Sequence, residues 1–230
     1  MNLRKWEDLP AFMKCSEVKP YYDILTRKKG ELRLKRVFDV CMAVILIGLL
    51  GIPMVVVAVM IKLDSSGPVF YRQERVTAYG KRFRIHKFRT MVNNADRIGS
   101  TVTVGNDARI TKVGAKIRDL RIDEIPQLFD VLNGNMSFVG TRPEATKYVE
   151  QYEKEMYATL LLPAGITSEA SIHYKDEAAL LDSSDDVDKT YVEIVLPGKM
   201  EYNLQSIKEF SISTDIATML RTVLAVLGKE

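Results

Sequence analysis

Cysteine is scarce. The chain of 230 residues has two, Cys15 and Cys41. They show neither metal nor redox spacing, and Cys41 stands inside an apolar run, so a disulfide framework is excluded and a reducing compartment fits. Histidine is equally rare, at two, which excludes a histidine-rich metal set. His86 has no partner motif and reads as structural or headgroup-facing. There is no G-x-x-x-x-G-K-[ST], no G-x-G-x-x-G after a strand and no nucleophile elbow, so a bound nucleotide is not held in a P-loop or Rossmann manner. The net charge of +3 excludes a strongly basic nucleic-acid binder on overall balance. Repeats and low-complexity segments are absent, and no cleavable signal is expected at the N-terminus.

What is present is enough apolar material for one sizeable domain with an appendage, at 47% hydrophobic and 27% charged residues. The chain divides into a basic, partly amphipathic lead-in over 1–36, an apolar run over 37–61 and a catalytic domain over 62–230. The fold class expected is mainly α with a small β element, α+β, with surface amphipathic helices around a compact domain.

In the run 37–61 Asp39 is the only charge. As a helix at about 1.5 Å per residue it could cross a hydrocarbon core of about 30 Å. Pro53 sits inside it, near Gly48 and Gly51. An interior proline removes a helix hydrogen bond and clashes with the preceding turn. The halves 37–52 and 53–61 would be about 24 Å and 14 Å long. Both flanks are basic, with Arg33, Lys35 and Arg36 before and Lys62, Arg72 and Arg75 after, so the charge asymmetry of a spanning helix is missing. A helix–break–helix hairpin that enters one leaflet and returns satisfies both observations. A kinked spanning helix is the runner-up, and a buried helix of a soluble protein comes third. Asp39 is costly in such a run unless paired, with Arg36 or Lys35 at hand.

Past Ser65, Ser66, Gly67 and Pro68, short strands are expected at 69–72 and 83–85 around a turn at 78–80. The stretch 81–89 interleaves basic and aromatic residues and suits headgroups or phosphates. Residues 92–105 read as a short helix and a polar loop, 107–120 and 146–162 as helices. Residues 182–188 lack the glycine and glutamate of a calcium loop and read as a solvated connector. Two helices near 199–210 and 215–227 close the chain. The last could lie on the membrane or pack on the core, and packing is the commoner outcome.

The chemistry concentrates in 118–143. Asp123 and Glu124 stand just before an apolar pattern, Ile125, Leu128, Phe129, Val131 and Leu132, that suits one helix face. Asp123 fits the N-cap, Glu124 the first turn, and Gly134 the stop. Capping alone is the usual job of such a pair. Arg118, Arg121 and Arg142 around it suit a site that handles a metal and phosphates.

Several segments in order, KRVFD, SSGPVFYRQERV, GKRFRIHKFRTM, RIDEIPQLFDVLNGNMSFVGTRPE and PAGIT, resemble the bacterial sugar transferases, the small monotopic polyprenyl-phosphate phosphoglycosyl transferases. The resemblance covers about Lys35 to the C-terminus. It implies a re-entrant anchor broken at Pro53, on the cytoplasmic face of the bacterial inner membrane among its phospholipids. It also implies transfer of a sugar-1-phosphate from a UDP-sugar to undecaprenyl phosphate with release of UMP, the first membrane step of a glycan pathway. Asp123 resembles the family's nucleophile, which forms a phosphosugar–aspartyl intermediate, and Glu124 its Mg2+ ligand. Arg118 and Arg142 match phosphate-clamping arginines, and Lys87 and Arg89 supporting phosphate or headgroup contacts. No nucleic acid is implied, and a homo-oligomer is left open. Thr141 replaces the usual proline of Gly-Pro-Arg-Pro, Ile52 the usual serine before Pro53, and the region after Ile166 lacks the frequent Gly-x-x-Gln. Two competing readings are a non-enzymatic adaptor for anionic lipid and a phosphohydrolase that uses the same aspartate.

Overall fold

The computed structural model describes residues 1–95, 107–175, 177, 181 and 186–226. Two 3-10 turns, Trp6–Asp8 and Ala11–Met13, lead into α1 (Lys19–Arg27) and α2 (Lys29–Asp64). The hairpin β1 (Phe70–Val76) and β2 (Arg82–Phe88) follows, then α3 (Lys112–Asp119), a 3-10 turn Ile122–Glu124, α4 (Gln127–Leu132) and β3 (Met136–Val139). After α5 (Thr146–Val149) and a 3-10 stretch Glu155–Leu161 come β4 (Ala164–Thr167) and α6 (Glu169–His173). The chain then runs from α7 (Val187–Thr190) through a π-helical turn, Tyr191–Val195, into α8 (Leu196–Lys208), and ends in α9 (Ile212–Val226). The architecture is α+β, as expected.

The two strand pairs serve different ends. β1 and β2 pair antiparallel from Phe70↔Phe88 to Val76↔Arg82, so the strands expected at 69–72 and 83–85 are real and longer. Phe83, Ile85 and Lys87 share one strand face by alternation. Phe83 and Ile85 pack with Leu128, Val131 and Phe138, which leaves Lys87 at the end of an apolar face. β3 and β4 pair parallel, Met136↔Ala164 to Val139↔Thr167. A Cβ on Gly165 would lie 2.2 Å from the backbone N and O of Gly140. Glycine is therefore required at that crossing, and the crossing fixes where the chain leaves β3 toward Arg142.

The expected break at Pro53 is corrected. α2 is one helix with Pro53 inside, not separate helices over 37–52 and 53–61. An interior proline costs about 3 kcal/mol or more, and docking along the helix offsets it. Leu32, Asp39, Ala43, Met54 and Ile61 are buried on one side, with Leu46, Leu50 and Val57 packed beside them. That stripe crosses the proline without changing face. Leu34, Val37, Ile45, Leu49, Ile52, Val55, Val56, Val59 and Leu63 are exposed on the rest of the surface.

Polar contacts fix both ends of α2. Arg36 donates to the Val131 and Leu132 carbonyls at 2.6 and 3.0 Å, at the negative end of α4. Asp39 is fully buried. It accepts from Ser137 Oγ at 2.8 Å and from the Phe138 N–H at 3.3 Å, rather than pairing with Arg36 or Lys35. Lys35 instead pairs with Asp215 on α9. At the far end, Asp64 Oδ2 accepts from the Val113 N–H at 2.9 Å, at the start of α3.

Two further expectations change. The helix over 146–162 is α5 and a separate 3-10 stretch. Met156, Ala158, Thr159, Leu160 and Leu161 are all buried, and such a run leaves no polar face for an amphipathic helix. The helix over 107–120 starts at Lys112, where the Thr111 side chain caps it by accepting from the Gly114 N–H. In 182–188 the first four residues lie outside the described ones, as does most of 92–105. Asp186 caps α7, and Asp188 pairs with Lys147 at 2.8 Å.

Candidate active site

Asp123 and Glu124 are not the cap of α4. They lie in the 3-10 turn Ile122–Glu124, and Pro126 precedes the helix. Arg121, at φ 55°, is in the left-handed region, which costs a non-glycine residue of order 1–3 kcal/mol. The turn is paid for by Ile122 and Ile125, which pack with Ile117 and Met54 under α2. With the isoleucines turned inward, both carboxylates line a cleft of about 1140 Å³.

Lys87, Arg89, Arg118, Arg121 and Arg142 line the same cleft, so the six expected polar site residues all border it. Glu124 Oε1 accepts from Arg142 Nη2 at 2.6 Å and from Lys87 Nζ at 2.8 Å. Burial opposes ionisation of Glu124, but Arg142 and Lys87 outweigh it and hold the carboxyl well below its usual range. Glu124 in turn raises the pKa of Arg142. Burial lowers the Lys87 pKa against the pull of Glu124. Asp123 behaves oppositely. Burial, with Glu124 adding to it, raises its pKa against Lys87, Arg118 and Arg142. Among the described residues no ion pair engages Asp123.

Arg89 borders the cleft, and its guanidinium donates to the carbonyls of Ser65 and Ser66 at 2.7 and 2.8 Å, which closes the end of α2. Pro53 lies on the exposed side of α2. His86 is structural, with Nδ1 2.9 Å from buried Asp130 and its backbone N–H donating to the same carboxylate at 2.8 Å.

The sequence reading missed a buried polar group along the cleft wall. Tyr191 donates to Glu144 at 2.7 Å, and Lys199 lies 3.6 Å from Glu144 and 3.1 Å from Glu177. Glu144 closes the GTRPE segment and was visible there. Tyr191 and Lys199 are distant in sequence and sit within helical pattern, where nothing marks them.

Among the described residues no three His, Cys, Asp or Glu side chains gather to hold a metal. The available donors are carboxylate oxygens. Glu124 Oε2 has its nearest hydrogen-bond partner, Arg142 Nη1, only at 3.4 Å. One such oxygen with substrate phosphates and water suits Mg2+, which keeps few protein ligands.

Comparison with known proteins agrees with the geometry. The model of the bacterial sugar transferase family matches residues 30–229. The chain is 38% identical over 198 residues to the UDP-N-acetylgalactosamine-undecaprenyl-phosphate N-acetylgalactosaminephosphotransferase of Aeromonas hydrophila, covering 84% of this chain and 44% of that one. It is 35% identical over 212 residues to the UDP-glucose:undecaprenyl-phosphate glucose-1-phosphate transferase of Escherichia coli (strain K12), covering 90% and 42%. It is 34% identical over 197 residues to the uncharacterized sugar transferase EpsL of Bacillus subtilis (strain 168), covering 86% and 89%. The chain thus spans less than half the length of the first two relatives. On the extent of the family match, this chain belongs to the bacterial sugar transferases.

Proposed function

We propose that the chain moves a sugar-1-phosphate from a UDP-sugar to undecaprenyl phosphate. The observation that carries this reading is the contrast between adjacent carboxylates, Glu124 neutralised by Lys87 and Arg142 and Asp123 left desolvated with no ion pair among the described residues. A carboxylate whose basicity burial has raised is a stronger nucleophile when ionised. Asp123 attacks the sugar-proximal phosphorus. The aspartyl–phosphorus bond forms, the bond to the bridging oxygen breaks, and UMP leaves with the bonding pair. An oxygen of undecaprenyl phosphate then attacks the same phosphorus, the aspartyl bond breaks, and the carboxylate is restored as polyprenyl-diphospho-sugar leaves. Arg118, Arg142 and Lys87 bear on the charge that develops on the phosphoryl oxygens. Glu124 and the substrate phosphates would hold Mg2+, which supplies further neutralisation there.

The membrane attachment we propose is monotopic, on the cytoplasmic face of the bacterial inner membrane. Two observations support it. Both ends of α2 are tied to one domain, through Arg36 and Asp39 at one end and Asp64 at the other. A helix with both ends on the same polar body cannot carry one of them across a bilayer. Its exposed surface is nevertheless apolar, and lipid is the medium that covers it. The basic residues Arg33 and Lys62 at its two ends favour the cytoplasmic side.

The test is UMP release over a panel of UDP-sugars with undecaprenyl phosphate and Mg2+. Release beyond one equivalent that needs the lipid, and loss of all release in Asp123→Ala, support the reading. Sugar phosphate released without lipid acceptor marks a phosphohydrolase, and lipid binding without turnover marks an adaptor. For topology, Arg33→Cys and Ser66→Cys, in a background without Cys15 and Cys41, should both label from the cytoplasmic side. Labelling from opposite sides overturns the monotopic arrangement.

A further inference from the structure

Tyr191 and Lys199 stand eight positions apart, yet Lys199 Nζ lies 3.1 Å from the Tyr191 hydroxyl. Two regular helical turns take about 7.2 residues, so on an unbroken α-helix the second side chain would point about 80° away from the first. The π-helical turn Tyr191–Val195 supplies the difference. A turn closed between residues five apart is one residue wider, which brings both side chains to the same face. That face meets Glu144, two residues past Arg142. Tyr191 donates to Glu144, and Lys199 pairs with both Glu144 and Glu177. Lys199, Tyr191 and Glu144 are buried, and all four groups line the cleft together with Arg142. Burial, with Glu144 and Glu177 adding to it, pushes the Tyr191 hydroxyl well above its ordinary value, so it stays a donor to Glu144.

We propose that Lys199 is a positioning residue for Arg142: by neutralising Glu144 and Glu177 it leaves the guanidinium on Glu124, at the phosphate end of the cleft beside Asp123. The proposal rests on the transfer reading above, in which Arg142 meets the phosphoryl oxygens. Arg142 stands between two acidic groups. On one side Glu124 accepts from it at 2.6 Å, with Lys87 already on the same oxygen. On the other side are Glu144 and Glu177, which add to Glu124 in raising the pKa of Arg142. The Lys199 ammonium leaves that pair one net negative charge, and without it the pair would carry two. Charges attract more strongly in a desolvated cleft than in water, so the carboxylates already neutralised decide where the guanidinium rests. The backbone is tied on both sides of Arg142. The Gly165 N–H donates to the Thr141 carbonyl at 2.9 Å, and the Val76 N–H to the Glu144 carbonyl at 3.0 Å. The competition is therefore settled by the side chain. Tyr191 assists by holding the Glu144 carboxylate, and the π turn is the irregularity that makes the arrangement possible.

The test uses the full chain in nanodiscs and follows the UMP burst from each UDP-sugar of the panel without lipid acceptor. The burst amplitude counts competent molecules, and its rate constant reports the chemistry. Lys199→Met should lower the rate constant about tenfold or more at an amplitude near that of wild type. Adding Glu144→Gln, which removes one of the two unmet charges, should recover most of that loss. Tyr191→Phe should lower the rate constant less. A fall in amplitude at an unchanged rate constant marks a structural role alone and overturns the positioning, as does a double variant no faster than Lys199→Met. If Lys199→Met does not fold, Tyr191→Phe decides, and an unchanged rate constant there overturns the proposal. A wild type that releases no UMP from any UDP-sugar overturns the transfer reading instead. The positioning is then read from the Glu124–Arg142 coupling, by urea titration in detergent of Glu124→Gln, Arg142→Gln and the double variant. That coupling should fall by about half or more in the Lys199→Met background. Equal coupling in both backgrounds overturns the proposal.

Discussion

Oε1 of Glu124 lies 2.6 Å from Nη2 of Arg142, with both groups facing the cleft and Lys87 on the same oxygen. Removing the carboxylate strands two cations. Breaking a buried pair by deleting one partner costs about 3–5 kcal/mol, and the Arg142 side chain is 32% exposed, which places this case at the low end. Glu124→Ala should therefore lose about 3 kcal/mol in urea titration, and Glu124→Gln, which keeps one acceptor, clearly less. Equal stability of wild type and Glu124→Ala would show that the pair has no structural role.

Asp123 should show the opposite balance. Its pKa is raised by burial, so the ionised form is disfavoured in the folded state. The contribution of such a group is fully present below its unfolded value of 3.8 and is lost as pH rises through the raised folded value. At neutral pH the charge is a burden that Asp123→Asn removes. The variant should melt above wild type at pH 7 while losing about a thousandfold or more in turnover. The melting difference should shrink on acidification. A lower Tm in the variant would sink this account.

Activity and stability should part company on the acid side. Glu124 is held well below its ordinary value of 4.5, so its contribution is present above that value and lost only as pH falls through the lower folded one. Asp123 takes up its proton earlier, above 3.8. A pH profile of kcat/KM should fall while the thermal midpoint is still held by the Glu124 pair. Coincident loss of both would argue that protonation of Asp123 does not limit the reaction.

Asp39 should matter for assembly rather than chemistry. It is buried and accepts from Ser137 Oγ and the Phe138 N–H. Asp39→Ala leaves a buried backbone donor without its acceptor, at about 1–3 kcal/mol. Ser137→Ala removes one contact and should cost about 1 kcal/mol. Thermal melts in one detergent would rank them, and the order Asp39→Ala below Ser137→Ala below wild type is expected.

The sequence made the site legible because its members were neighbours. Asp123, Glu124, Arg118 and Arg142 fall in one stretch, and the family pattern marked them. Lys87 was visible in its motif, although its ion pair with Glu124 depends on β2 ending beside the 3-10 turn. Arg89 stood two residues away and looked equivalent. Its bonds to the carbonyls at the end of α2 are a tertiary fact that no local pattern carries. Pro53 was read by its intrinsic preference, and docking of α2 on both sides of it overrode that preference. Lys199 and Tyr191 meet Glu144 only through folding and, unlike Glu144, had no local signature.

The Lys35–Asp215 pair spans 180 positions of sequence. A ribosome delivers Lys35 long before Asp215, and it delivers the Val131 and Ser137 contacts of α2 before α9 exists. During synthesis α2 therefore meets its partners on α4 and β3 before α9 can supply Asp215. A chain halted before residue 212 would hold α2 and both carboxylates and lack the part of the cleft lining that Thr222 and Ala225 supply, so α9 is the last of the described elements to complete that lining.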